Sequence, residues 1–170
     1  MPDLLIRRGI LSDVPRLTGI YNEYVRDTPI TFDIAPWTIE ERRRDWFDLY
    51  ASTGRYQLFV AEEEGNPVGY ATSSPFRSKA AYDTTVEATI YLAPGAGGRG
   101  VGRALYERLF ECLKAEDVRR ILAGITLPNP ASEKLHRNLG FEPVGIFSEV
   151  GRKFDRYWDV IWLEKRMENP

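Results

Sequence analysis

The sequence predicts a mixed α+β fold, a mostly antiparallel central sheet flanked by helices, and three observations predict it. First, Tyr56–Glu63 and Val68–Pro75 are apolar runs joined by Glu64-Gly65-Asn66-Pro67. That pattern is an antiparallel hairpin, and it excludes a uniformly parallel, doubly wound sheet. Second, a strand, a glycine-rich loop and an amphipathic helix follow one another from Thr84 to Glu116. Third, two helical patterns lie ahead of the hairpin, and apolar strand-like runs close the chain after residue 120.

Each element has a local reason. Leu4 to Arg8 reads as a first strand. Ser12 is the expected N-cap of a helix in which Val14, Leu17, Ile20, Tyr21, Tyr24 and Val25 recur at helical spacing. Asp27 to Asp33 is irregular. Thr38-Ile39-Glu40-Glu41 is a capping box that opens a second helix carrying Trp46, Phe47, Leu49 and Tyr50. In the strand Thr84–Pro94, Val86, Ala88, Ile90 and Leu92 share one face, and Glu87 lies on the other. Val101, Leu105, Leu109 and Leu113 are the buried stripe of the helix from Gly100 to Glu116. Arg120–Thr126 is a short strand, and Asn129-Pro130-Ala131-Ser132 caps a short helix that stops at Gly140. Phe141 to Arg166 is a strand pair with its expected turn near Gly151-Arg152-Lys153.

A chain of 170 residues with 43% apolar content suits one well-buried domain, residues 1–170, and is short for two. A net charge of −2 argues against nucleic acid or an acidic membrane as the main partner. No apolar run reaches membrane-spanning length, and Met1 to Arg8 lacks the order of a signal peptide. The single cysteine, Cys112, fits a reducing compartment and lies beside the helical stripe, where it reads as packing. A cytoplasmic location is expected.

The loop Gly95-Ala96-Gly97-Gly98-Arg99-Gly100-Val101-Gly102 offers closely spaced backbone N–H groups at the positive end of a helix. That arrangement holds a pyrophosphate. It is not a mononucleotide loop, because Arg103-Ala104 follows the last glycine where Lys-Ser/Thr is needed. It is not a dinucleotide fingerprint either, since the third glycine and the downstream acid are missing. A glycine-rich turn with no ligand is the simpler alternative. An acid one strand's length from a bound phosphate suggests group transfer from a phosphorylated carrier.

The strand, Gly97-Gly98-Arg99-Gly100-Val101-Gly102, the helix, and later Asn129 with Leu139-Gly140-Phe141 resemble the GNAT N-acetyltransferases. Within them the chain is most similar to the phosphinothricin and methionine sulfoximine acetyltransferases. The details are Ala81-Tyr82-Asp83 before Thr85-Val86-Glu87, Leu127-Pro128-Asn129, Ser132 to His136, and Gly151-Arg152-Lys153-Phe154 with Trp158-Asp159. The resemblance covers nearly the whole chain. It implies acetyl-CoA as cosubstrate with no metal, a small-molecule amine as acceptor, and a homodimer. Where the family loop usually begins with Gln or Arg this chain has Gly97, and Arg99 or Arg103 is the expected replacement contact to the CoA phosphates.

The resemblance makes Glu87 the general base that neutralises the acceptor amine; otherwise it is a solvated strand residue or half of a buried ion pair. His136, the only histidine, stands where many GNAT proteins have a tyrosine that protonates the departing thiolate. Its imidazole can give that proton or help remove the amine's, and its alternative is a packed core residue. Asn129 is an N-cap, and by resemblance it also bonds the pantetheine arm or pyrophosphate. The backbone of Ile90, Tyr91 and Leu92 resembles the family's splayed strand edge, which polarises the thioester carbonyl. Arg77 and Lys79, ahead of Tyr82, are cations able to take a carboxylate or phosphinate, or else solvated loop charges. Phe32 walls the acceptor pocket by resemblance, with a core phenylalanine as the alternative. Tyr157, Trp158 and Trp162 read as core or dimer contacts, and Arg42-Arg43-Arg44 as a solvated helix face.

The expected reaction is direct acetyl transfer to the α-amine of a phosphinothricin-like, methionine sulfoximine-like or methionine sulfone-like amino acid, without an acyl-enzyme. The rivals are transfer to a protein N-terminus, lysine or polyamine, and a non-catalytic acyl-CoA sensor.

Overall fold

The computed structural model describes residues 3–167. Its strands are β1 (Leu4–Arg8), β2 (Leu58–Glu63), β3 (Asn66–Pro75), β4 (Thr85–Leu92), β5 (Arg120–Thr126), β6 (Glu142–Lys153) and β7 (Arg156–Arg166). They form one sheet in the order β1-β2-β3-β4-β5-β7-β6. Every neighbouring pair is antiparallel except β4 and β5. The fold is therefore mixed α+β, as the hairpin demands.

Helix α3 (Val101–Leu113) covers one face of the sheet, with Val101, Leu105, Leu109 and Leu113 all buried. They pack on Val86 and Ala88 of β4 and Ile121 and Ala123 of β5, with Cys112 at the margin. Helix α1 (Val14–Asp27) covers the other face through Leu17, Ile20, Tyr21 and Val25, which meet Val60, Tyr70 and Tyr91. The period-2 pattern of β4 thus feeds two cores, one on each side.

Several ends differ from the sequence reading. Ser12 caps nothing; a short 3-10 turn, Leu11–Asp13, precedes α1. The carboxylate of Asp13 accepts from the Ile10 N–H at 2.8 Å and from the Arg7 guanidinium at 2.7 and 2.8 Å. Asp13 stands at the N-cap position of α1, but its carboxylate is taken up by these partners and makes no cap bond to the helix. Helix α2 (Ile39–Asp45) has the expected capping box, Glu41 N–H to Thr38 Oγ1 at 3.2 Å and Thr38 N–H to Glu41 at 2.9 Å. It stops before Trp46, and Phe47–Leu49 is a 3-10 turn.

Arg42 is not on a solvated face. It is buried, its guanidinium 3.9 Å from the centre of the Trp46 ring and 4.1 Å from that of Tyr21, and it donates to the Tyr70 hydroxyl at 3.0 Å. Aromatic faces replace a carboxylate as its counter-charge. The β2–β3 turn narrows to Glu64-Gly65, both at positive φ, as a two-residue hairpin requires. The β6–β7 turn is Phe154-Asp155, again two residues at positive φ, and not the Gly151 region. Gly151 lies inside β6, where the Phe32 ring rests on it: a Cβ there would come within 2.2 Å of that ring.

Candidate active site

Strands β4 and β5 pair only from Thr85 to Glu87, opposite Arg120 to Leu122. β4 goes on pairing with β3 as far as Leu92, and β5 with β7 as far as Thr126. The two strands therefore part at Glu87 and leave the β5-facing edge of Ala88–Leu92 without a ladder partner among the described residues. A cavity of about 50 Å³ occupies the parting. Ala88, Thr89, Ile90 and Tyr91 line one side of it, and Ala123 to Thr126 the other. Tyr106 of α3, with Asn129 and with Ser132 and His136 from the helix that Asn129 caps, α4 (Pro130–Asn138), closes it. Unpaired backbone donors beside a small cavity are what an acyl carbonyl needs.

Glu87 is the last paired residue before the parting. Its carboxyl is half-buried, and burial raises its pKa above the ordinary carboxylate range. No other described side chain bonds it or pairs with it, so the buried-ion-pair reading has no partner. A desolvated, unpaired carboxylate beside a cavity is a proton acceptor poised closer to neutrality.

His136 is buried on α4. Its Nδ1 lies 2.8 Å from the Ser132 carbonyl oxygen, and its Nε2 lies 3.1 Å from the Tyr106 hydroxyl. Burial among Tyr106 and Phe141 lowers its pKa, which keeps the ring neutral near pH 7. Tyr106 was not legible as a site residue, because its spacing on α3 is that of the apolar stripe.

Asn129 is the N-cap of α4, its side-chain oxygen accepting from the Ser132 N–H at 3.1 Å, and it also lines the cavity. The Leu92 carbonyl is held by the Tyr24 hydroxyl at 2.7 Å, which fixes the end of β4. In the loop ahead of α3, Gly95, Gly98 and Gly100 all have positive φ, and Gly97 and Gly98 border open space. Gly102 meets Leu135 and Ile90, whose side chains would stand 3.1 and 3.3 Å from a Cβ, so α3 begins directly against β4 and α4. An open glycine cradle at a helix start fits a pyrophosphate. The two candidate arginines are engaged elsewhere: Arg99 pairs with both carboxylate oxygens of Glu63 at 2.8 Å, and Arg103 with Glu107 at 2.7 Å.

The proposed acceptor residues do not line this cavity. Arg77 lies over the Phe76 ring at 4.9 Å, Tyr82 packs edge-on against Phe76, and Lys79 precedes a 3-10 turn, Ala80–Tyr82. Arg77, Lys79 and Tyr82 are all exposed. Phe32 is 36% exposed and is not a core residue. Its loop is tied to β6 by Lys153, whose buried ammonium donates to the Thr31 carbonyl at 2.8 Å. Trp162 spans this side of the sheet between Gly124, Phe76 and Phe147, while Trp158 donates to the Lys153 carbonyl at 2.9 Å. Tyr157 is exposed.

A sheet that parts at its one parallel pair, with a glycine cradle at one end of the gap and an acid at the other, is the architecture of a carrier-dependent group transferase. The chain belongs to the acetyltransferase (GNAT) family, whose description matches residues 17–141. It is 54% identical over 165 residues to a phosphinothricin N-acetyltransferase of Streptomyces coelicolor, covering 96% of each chain. It is 32% identical over 163 residues to an L-methionine sulfoximine/L-methionine sulfone acetyltransferase of Pseudomonas aeruginosa, covering 96% of this chain and 94% of that one. The crystal structure of a phosphinothricin acetyltransferase from Sinorhizobium meliloti in complex with AcCoA superposes with a TM-score of 0.90. That protein is 33% identical to this chain over 96% of it and 88% of the neighbour.

Proposed function

We propose that this acetyltransferase moves acetyl from acetyl-CoA to the α-amine of a small amino acid with a tetrahedral γ-group, of the phosphinothricin, methionine sulfoximine or methionine sulfone type. The observation that carries the reading is the parting of β4 from β5 at Glu87. It sets a desolvated carboxylate without a described partner at one end of a free strand edge, whose other end leads into a glycine cradle. The names of the relatives in Streptomyces and Pseudomonas support the acceptor class.

Acetyl-CoA, when bound, supplies an electrophilic thioester carbonyl. The loop from Gly97 to Gly102 would hold its pyrophosphate through backbone N–H groups, and Asn129, which lines the cavity, would bond its pantetheine arm. Strand-edge donors of Ile90–Leu92 stabilise negative charge on a carbonyl oxygen. The acceptor must reach the site as a neutral amine. An α-amine with a pKa of about 8 is about one-tenth neutral at pH 7, so removing its proton costs about 1–2 kcal/mol. Glu87 takes that proton, directly or through one water. By the family resemblance Arg77 and Lys79, exposed cations outside the cavity, would hold the acceptor's anionic groups by charge-assisted bonds, and Phe32 and Tyr82 would wall the pocket.

A homodimer belongs to the same proposal. Strand β6 is a sheet edge that exposes Val144, Ile146, Phe147 and Val150, each more than half exposed. An apolar edge strand of that length calls for a covering partner, and a second copy supplies it. Cytoplasmic placement accords with the free Cys112, and among the described residues no helix is long and apolar enough to cross a membrane.

The test is thiol release from acetyl-CoA with phosphinothricin, methionine sulfoximine, methionine sulfone, glutamate, methionine, a peptide and spermidine, against a blank for Cys112. Turnover confined to the tetrahedral analogues is the expected result. Turnover on peptide or polyamine alone would overturn the acceptor class, and CoA binding without any turnover would make the protein a sensor.

A further inference from the structure

For a neutral ring, which its burial favours, the pair of contacts at His136 has one consistent assignment of protons. A carbonyl oxygen accepts and cannot donate, so the 2.8 Å contact to Ser132 places a proton on Nδ1. In the neutral ring Nε2 then carries a lone pair, and the Tyr106 hydroxyl 3.1 Å away must be its donor. The phenolic proton is therefore committed to His136, and the phenolic oxygen keeps only lone pairs. Both side chains line the cavity at the parting of β4 and β5, and both are buried.

We infer that Tyr106 is a positioning residue of the reaction. It fixes His136 as the neutral Nδ1–H tautomer and offers the cavity a hydrogen-bond acceptor for an N–H group or a water. His136 accordingly holds the phenolic oxygen in place and, with no proton on Nε2, gives none to the leaving sulfur, which departs as the thiolate and is protonated by solvent. The inference rests on the acetyl-transfer reading of this cavity.

The surroundings favour this state. Phe110 stacks on Tyr106 with ring centres 5.1 Å apart, and Phe141 stands edge-on to His136 at 5.0 Å. The Ser132 hydroxyl, 3.4 Å from Nδ1, is the other polar side-chain group at the ring. Among the described residues the one carboxylate whose charge bears on the Tyr106 phenol is Glu87, and burial and that charge together keep the phenol protonated far above neutrality. The cavity exceeds the volume that one ordered water needs. A water held on the phenolic oxygen would be oriented with its own lone pairs outward, ready to accept from an incoming amine.

Because His136 is the only histidine, ¹⁵N-histidine labelling of the untagged protein reads one ring. At pH 7 the expected spectrum is a protonated Nδ1 and an unprotonated Nε2 shifted by an accepted hydrogen bond. An Nε2–H tautomer or an imidazolium would overturn the inference. Tyr106→Phe is expected to lower kcat about tenfold, with the KM for acetyl-CoA changed less than about twofold and the Nε2 resonance moved; unchanged kcat would also overturn it. Should that variant not fold, His136→Gln and His136→Ala decide the matter. Glutamine can still accept from Tyr106 and should keep several-fold more activity than alanine, whereas a histidine acting as acid would be lost equally in both. Glu87→Gln assayed alongside separates the outcomes. If it too leaves kcat intact the acetyl-transfer reading of the site fails, whereas a loss there with full activity in Tyr106→Phe sinks this inference alone.

Discussion

The carrier side of the site and the acceptor side are built in opposite ways. The carrier side is one continuous stretch, β4, the glycine loop and α3, from Thr85 to Leu113. In the proposed reading its backbone, with Asn129 beside it, would do the binding, so few other side-chain identities matter beyond the glycines. The acceptor side, as proposed, would join three distant pieces: the loop bearing Phe32, the turn bearing Arg77 to Tyr82, and the β6–β7 hairpin. It is held by contacts of very long sequence range, Lys153 to the Thr31 carbonyl and Phe32 on Gly151. A contiguous backbone site tolerates surface change, and an assembled one depends on each fastening.

Four substitutions break or sharpen that contrast. Glu87→Gln, at the junction of the two sides, should reduce kcat by about 10²–10⁴ with every acceptor. Its pH profile supplies a second check. Burial raises the Glu87 pKa and the base must be ionised, so wild-type activity should fall, as pH is lowered, at a pH above the ordinary carboxylate range. That limb should vanish in the variant; a limb at an unshifted carboxylate value would deny the desolvation argument. Gly102→Val forces a branched side chain against Leu135 and Ile90. It should raise the acetyl-CoA KM by about tenfold or more and leave the acceptor KM nearly unchanged.

Gly151→Ala reverses the pattern. Its Cβ displaces the Phe32 ring, so the acceptor KM should rise by roughly tenfold while acetyl-CoA binding, measured by calorimetry, stays as it was. Equal effects on both substrates would erase the distinction between the two sides. Arg99→Ala should do least. The guanidinium is exposed and already paired with Glu63, so a change in acetyl-CoA KM below about threefold is expected. A larger loss would restore Arg99 as a phosphate ligand that leaves Glu63 on binding.

The same contrast explains which features could be read without coordinates. The α3 stripe, the Thr38–Glu41 box, the Asn129 cap and the alternation of β4 are patterns set by neighbours within four residues, and the structure has each of them. Gly151 misled because glycine serves both turns and close approaches, and only the distant Phe32 distinguishes them. Arg42-Arg43-Arg44 gives three equivalent charges on paper; the aromatic rings of Tyr21 and Trp46 select the first for burial. Ser12 is no cap because it lies inside a 3-10 turn, which the Asp13 carboxylate closes onto the Ile10 N–H and Arg7, six residues away, anchors. Tyr106 was hidden by the α3 periodicity, since its partner His136 lies thirty residues on.

By itself the sequence determined the elements, the mixed sheet, the glycine cradle and the acid-bearing strand, because periodicity, caps and turn chemistry act over a few residues. Tertiary structure alone decided where β4 leaves β5, that Glu87 has no side-chain partner among the described residues, which nitrogen of a neutral His136 carries the proton, and that Phe32 rests on Gly151. Those facts depend on groups brought together from far along the chain. Desolvation, hydrogen-bond direction and steric contact arise only once such groups meet.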